Sequence, residues 1–333
     1  MTAAAIDRLG HRRTRVFWLY TALVAALLFP TVVPAAANPG DECRMRAGTI
    51  ETLSVPSGMG PIPVQVQWAR HCGPGALYLL DGLRAGAVNG WFANTDAVSM
   101  FADDDLTVVM PAGGPGSWYA DWAGPTAEHG RVLTYRWETF LTDELPGFLA
   151  GFGVGPDRYA VVGLSMSASS ALVLAAHHRS QFRAAAAFSG ILDWHSPDMR
   201  EAVRAATWQA GHDPDRMAVP GSPAWDHLDP VTAAPLLAGL PLYLAASPGL
   251  PSPGDRIDSL SAAADTVGAM ALEAVTAVST HRFKQRLDGL GIGAVYDFPP
   301  TGTHTWSTWQ ADLARARPYL LEALAEDGQP APR

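Results

Sequence analysis

Two short segments carry residue types suited to acyl chemistry. From Tyr159 to Ser170 the chain reads YAVVGLSMSASS: an apolar run meets Gly163, Leu164, Ser165 and Met166, then passes into small and apolar residues through Ala176. Read physically, this is a strand, a tight turn and a helix with a serine at the apex, the arrangement of a nucleophile elbow. A serine lifted above the end of a sheet can give its proton to a histidine while the Met166 N–H faces a developing oxyanion. The usual final glycine of G-x-S-x-G is Ser167 here, still small enough for helix and strand to approach. A buried turn of small residues opening a core helix would read the same way, so the partners of the serine must decide.

The base is sought after the last strand, because α/β-hydrolases present serine, acid and histidine in that chain order. His304, in Gly302-Thr303-His304-Thr305-Trp306, has that position. Of the ten histidines, His177, His178, His195, His212 and His227 are read as loop residues without a catalytic place. The acid stays open: Asp255, Asp258, Asp265 and Glu273 all follow the apolar run Pro241–Ala246, and the pattern leans toward an early loop aspartate. The second oxyanion donor should lie in the loop after an earlier strand, where Leu83 follows Gly82.

The elements that must position these residues are legible as alternating strands and helices. Gly48 to Trp68 alternates with period two and predicts two antiparallel strands at a sheet edge. Ala76–Leu80 and Leu106–Met110 are continuous apolar runs bounded by loops, the pattern of central strands buried on both faces. Trp118, Tyr119 and Trp122 are expected to wall a cleft after the second of these. Trp137–Phe152 reads as an amphipathic helix kinked by Pro146. Ala184–Phe188, Pro241–Ala246 and Ala294–Phe298 complete the strands, Asp265–Leu287 is a helix, and Leu192–Pro230 should form loops and helices capping the site. This alternation predicts a mainly parallel doubly wound sheet with helices on both faces.

Composition bounds the reading. With 333 residues, 48% hydrophobic and 17% charged, the chain can build one large core. Lys and Arg number 23 against 32 acids, a net charge of −9 that argues against nucleic-acid binding. Residues 1–37 carry Arg12, Arg13 and Arg15, an apolar run from Phe17 and the small residues Ala35–Ala37. They are read as a signal peptide, with an uncleaved anchor as the alternative. The folded domain would span 38–325, followed by a tail at 326–333. Export implies an oxidising compartment, so Cys43 and Cys72 are expected to pair. No metal-ligand spacing stands out, and neither a metal nor a cofactor is expected.

At this point the chain resembles the mycolyltransferases of the antigen 85 complex. The matching segments are LDGLRA at 80–85, NGWFANT at 89–95, MPAGG and SWYADW within 110–122, WETFLTDELP at 137–146, GLSM at 163–166, GSPAWDHLDP at 221–230 and FPPTGTHTW at 298–306. The resemblance implies an α/β-hydrolase fold, secretion, cell-wall association and acyl transfer between trehalose monomycolates or to arabinogalactan. It makes Ser165 the nucleophile, His304 the base and, through Leu272-Glu273 ten residues before Phe283, Glu273 the acid. It also implies Leu83 and Met166 as oxyanion donors, Asp81, Arg84, Asn94 and Trp306 as trehalose contacts, and fibronectin as a further partner. Ser-Ala-Ser-Ser after GLSM, a diverged acid-bearing helix and shifted cysteines fit a nocardial or corynebacterial-type member handling shorter mycolates. A secreted carboxylesterase and a noncatalytic cell-wall-binding protein are the rival readings.

Overall fold

The computed structural model describes residues 38–128, 130–252 and 260–325. The targeting segment at 1–37, the tail at 326–333 and the acid candidates Asp255 and Asp258 lie outside the described residues.

Eight strands form the main sheet: β1 Ile50–Val55, β2 Ile62–Gln67, β3 Ala76–Leu80, β4 Thr107–Pro111, β5 Tyr159–Leu164, β6 Phe182–Phe188, β7 Leu242–Ala245 and β8 Val295–Asp297. Their order is β1-β2-β4-β3-β5-β6-β7-β8. β2 runs antiparallel to β1 and β4, and every other pairing is parallel. The expected edge hairpin is therefore β1–β2, and the doubly wound sheet is as read from the sequence. The order reverses between β3 and β5, so their C-terminal ends open side by side at the switch point, where such folds bind ligands.

Alternation along the central strands separates two cores. Tyr78, Leu80, Val109 and Val161 face one, with Leu172 of helix α1 (Met166–His177) and Phe283 of the long helix α2 (Leu260–Leu290). Leu77, Leu79, Val108 and Val162 face the other, closed by Trp309, Leu313 and Leu320 of helix α3 (Trp306–Ala325). Period-two residues that are apolar on both faces can only sit in a sheet covered on both sides. The Cys43–Cys72 disulfide ties the short helix Pro39–Arg46 to the segment after β2.

Three expectations change. Trp118, Tyr119 and Trp122 are buried in the core rather than open to a cleft, stacked edge-on against Trp194, Trp137 and Tyr135 respectively. Trp137–Ala150 is not a simple kinked helix: Phe140–Glu144 forms a π-helical turn, closed by the Leu145 N–H on the Phe140 carbonyl, just before Pro146. The wider turn accommodates a proline that cannot donate a helical bond. Two of the histidines assigned to loops are helical, His177 at the end of α1 and His227 in the helix Pro223–Leu228, while His195 and His212 lie in loops. From Leu192 to Pro230 the chain forms loops and helices, among them Pro197–Gln209 and Pro223–Leu228, with Trp194 and Trp225 buried against each other.

Candidate active site

Ser165 follows β5 directly and has φ +52° and ψ −114°, a left-handed backbone that non-glycine residues rarely adopt. The turn is tight because Gly163 has no side chain: a Cβ there would lie 2.0 Å from the Ser167 carbonyl oxygen. The residue that replaces the motif's last glycine has its own role. The Ser167 hydroxyl, fully buried, accepts the Leu164 N–H at 2.9 Å and lies 3.1 Å from the carbonyls of Leu164 and Leu80. It ties the elbow to the end of β3.

Ser165 Oγ lies 2.8 Å from His304 Nε2, and His304 Nδ1 lies 2.8 Å from Glu273 Oε2. Glu273 is fully buried on α2, and its other oxygen accepts the Ser189 hydroxyl and the Ser247 N–H, each at 2.8 Å. A buried carboxylate needs such donors. The carboxylate against Nδ1 places the imidazole proton on that nitrogen and leaves Nε2 free to accept the serine proton. His304 is anchored to the acid's helix by its own N–H on the Ala269 carbonyl at 3.2 Å. The structure thus brings the resemblance-derived acid to the base, whereas Asp265, favoured no less by position alone, is exposed.

Across from the elbow, the Asp81–Ala85 loop leaves β3. A Cβ built on Gly82 would lie 4.0 Å from Ser165 Cβ, which sets this loop beside the serine. The Gly82 N–H is occupied by Asp81 Oδ1 at 2.8 Å, and the Leu83 carbonyl receives the Gly116 N–H at 3.0 Å. Met166 opens α1, so its N–H has no acceptor within the helix. Asp81 is buried, and its second oxygen accepts the Gly90 N–H at 2.7 Å. Burial pushes this carboxyl up from its ordinary value, with the N–H donors of Gly90 and Gly82 opposing. Asp81 is first a brace for the loop. Arg84 and Asn94 are exposed, and the half-buried Trp306 stands edge-on to Trp91 and Trp309.

Sequence reasoning missed Ser189, Trp309 and Tyr119. The Tyr119 hydroxyl accepts the Asp81 N–H at 2.9 Å, and Trp118 donates its N–H to the Met166 sulfur at 3.4 Å, so the aromatic loop supports the site from beneath. His195 and His212 are held by Asp229 and by Thr126, and neither approaches Ser165 as His304 does.

Residues 58–320 match the family described as "Putative esterase". The chain is 40% identical over 282 residues to the diacylglycerol acyltransferase/mycolyltransferase Ag85A of Mycobacterium tuberculosis, covering 83% of this chain and 81% of that protein. This chain belongs to that esterase family and, within it, to the antigen 85 mycolyltransferases. A second antigen 85 relative, Ag85C of Mycobacterium avium, is 36% identical over 312 residues, 91% of this chain and 86% of its own. The crystal structure of Mycobacterium tuberculosis MPT51 (FbpC1) superposes with a TM-score of 0.69 at 28% identity, over 83% of this chain and 98% of that one. An S-formylglutathione hydrolase from Agrobacterium tumefaciens, 16% identical with a TM-score of 0.61 over 83% and 95%, shares the fold. The antigen 85 assignment and the α/β-hydrolase architecture agree with the sequence reading.

Proposed function

We propose that this chain is an extracytoplasmic mycolyltransferase that moves a long-chain acyl group from one trehalose monoester to a second, or to arabinogalactan, through an acyl-Ser165 intermediate. The observation that carries the reading is the unbroken relay Glu273–His304–Ser165, with both links at 2.8 Å. His304 Nε2 takes the Ser165 proton as Oγ bonds to the ester carbonyl, while the Leu83 and Met166 N–H groups receive the oxyanion. The sugar–oxygen bond to the acyl carbon breaks, and the leaving sugar takes the proton from Nε2. An acceptor hydroxyl then gives its proton to Nε2 and attacks the acyl carbon; the Oγ–acyl bond breaks and Ser165 Oγ takes the proton back from Nε2.

Transfer prevails over hydrolysis when the acceptor is held in place, because effective molarity favours a positioned hydroxyl over water. Arg84 and Asn94 offer exposed polar groups, Trp306 a ring edge, and Asp81 fixes the loop beneath them. The Cys43–Cys72 disulfide supports a location outside the cytoplasm.

The test is product analysis after mixing purified protein, or Ser165→Ala, with a trehalose monoacyl ester. Diester plus free trehalose from the wild type, absent with the variant, is the expected result. Free fatty acid without diester means a hydrolase. A donor left untouched across several chain lengths would remove the catalytic reading and leave a binding protein.

A further inference from the structure

Ser189 repeats the backbone of Ser165 one strand over. It follows β6 as Ser165 follows β5, with φ +51° against +52°. Each serine donates its N–H to the end of the next strand: Ser165 to the Phe188 carbonyl at 2.9 Å, Ser189 to the Ala245 carbonyl at 2.8 Å. A left-handed serine is strained, and strain of this kind is retained where the geometry has a use. Ser189 is fully buried, so its hydroxyl never meets substrate.

What that hydroxyl does meet is Glu273 Oε1 at 2.8 Å and, from the other side, the Trp309 indole N–H at 3.2 Å. The indole can only donate, so it occupies an acceptor position on the serine and turns the hydroxyl proton toward the carboxylate. The same indole ring stands perpendicular to His304, with centroids 4.9 Å apart. Trp309 therefore touches the base with its ring and the acid's donor with its nitrogen.

We infer that Ser189 and Trp309 are positioning residues: Trp309 polarises the Ser189 hydroxyl, which with the Ser247 N–H fixes Glu273 so that Oε2 meets His304 Nδ1. The inference rests on Glu273 and His304 acting as acid and base for Ser165. Charge-assisted donors to a buried carboxylate set both its orientation and how much negative charge is left for its partner.

The experiment compares wild type, Ser189→Gly, Trp309→Phe and the double variant. Glycine relieves the left-handed backbone, and phenylalanine keeps a ring against His304 while removing the N–H, so both variants should fold. With a p-nitrophenyl acyl ester, each single variant is expected to lose about tenfold in kcat with KM little changed. The acidic limb of kcat/KM should move to higher pH, because less of the carboxylate charge is taken up by donors. Trp309→Phe should add nothing to Ser189→Gly, since the indole acts through the serine. The downfield proton resonance between His304 Nδ1 and Glu273 should shift in both variants, a readout that needs no turnover. Additive rate losses, or a resonance unmoved in both variants, would overturn the inference. Resonance shifts in both variants alongside a wild type inert toward the ester would uphold the positioning of Glu273 and count instead against the proposed catalytic function.

Discussion

Gly90 and Trp306 occupy one space: a Cβ on Gly90 would lie 2.2 Å from the Trp306 ring and 2.8 Å from Asp81 Oδ1. The ring cannot yield freely, because Trp91 and Trp309 hold it edge-on from two sides. Gly90→Ala is therefore expected to displace both Trp306 and the Asp81 loop. Overpacking of this kind costs roughly 1–3 kcal/mol. Thermal unfolding should show it as a lower Tm, and acceptor-dependent transfer should fall more than hydrolysis of a simple ester. Equal losses in both reactions would mean that Trp306 does not serve the acceptor.

Ser167→Gly restores the general G-x-S-x-G pattern and should still harm the protein. It leaves the buried Leu164 N–H without its hydroxyl acceptor and unties the elbow from the Leu80 carbonyl. An unsatisfied buried amide costs about 1–3 kcal/mol. Chemical denaturation should reveal that loss together with slower acylation of Ser165; a variant as stable and as fast as wild type would refute the strut.

Reduction, or paired Cys43→Ser and Cys72→Ser, should lower stability by opening a link across 29 positions. The chain-entropy model puts this at about 3–4 kcal/mol for such a loop. The expected readout is an earlier guanidinium midpoint with a steeper slope, because the opened chain is less compact when unfolded, with the Glu273–His304–Ser165 geometry, and hence kcat under folding conditions, preserved.

Glu138 gives the fold a pH signature through its bonds to His178 and His227. Burial pushes its carboxyl up, but hydrogen bonds from His178 and His227 outweigh that and hold it at about 2, below the usual 4.5. That share of stability is present above pH 4.5 and lost as pH falls toward 2. His227 is raised above 6.5 by its hydrogen bond to Glu138, so its share is fully present below pH 6.5 and fades as pH rises beyond. His177, stacked on His227 with centroids 4.0 Å apart, is pushed down by burial and by that neighbour, and so opposes stability at acid pH. The Tm difference between wild type and Glu138→Gln should be greatest between pH 4.5 and 6.5 and narrow on both sides. A difference independent of pH would show that these groups are not linked to folding.

Much of the fold was legible because its signals are local. The period-two edge hairpin, the continuous apolar β3 and β5 and the glycine before Ser165 each state their conformation within a few residues. His304 was legible by its position after the last strand. Glu273 was not: position alone leaned toward a loop aspartate, and only the resemblance named the glutamate. The physical reason is that the acid's partners, Ser189, Ser247 and His304, come from three separate strand ends that no spacing along the chain records. The aromatic loop failed for a related cause. Trp118 and Tyr119 look like cleft walls by composition, but their backbone amide and hydroxyl meet Met166 and Asp81 inside the core.

Ser165 and His304 stand 139 positions apart, and Ser189 and Trp309 stand 120 apart. Contacts of such separation carry the closure entropy of the whole intervening chain. The elbow itself leans on Leu80 and Phe188, and a chain without residue 304 lacks the histidine that faces Ser165. On the proposed mechanism, nucleophile and base meet only when nearly the whole domain is present, so a chain cut short before residue 304 carries a serine with nothing to take its proton.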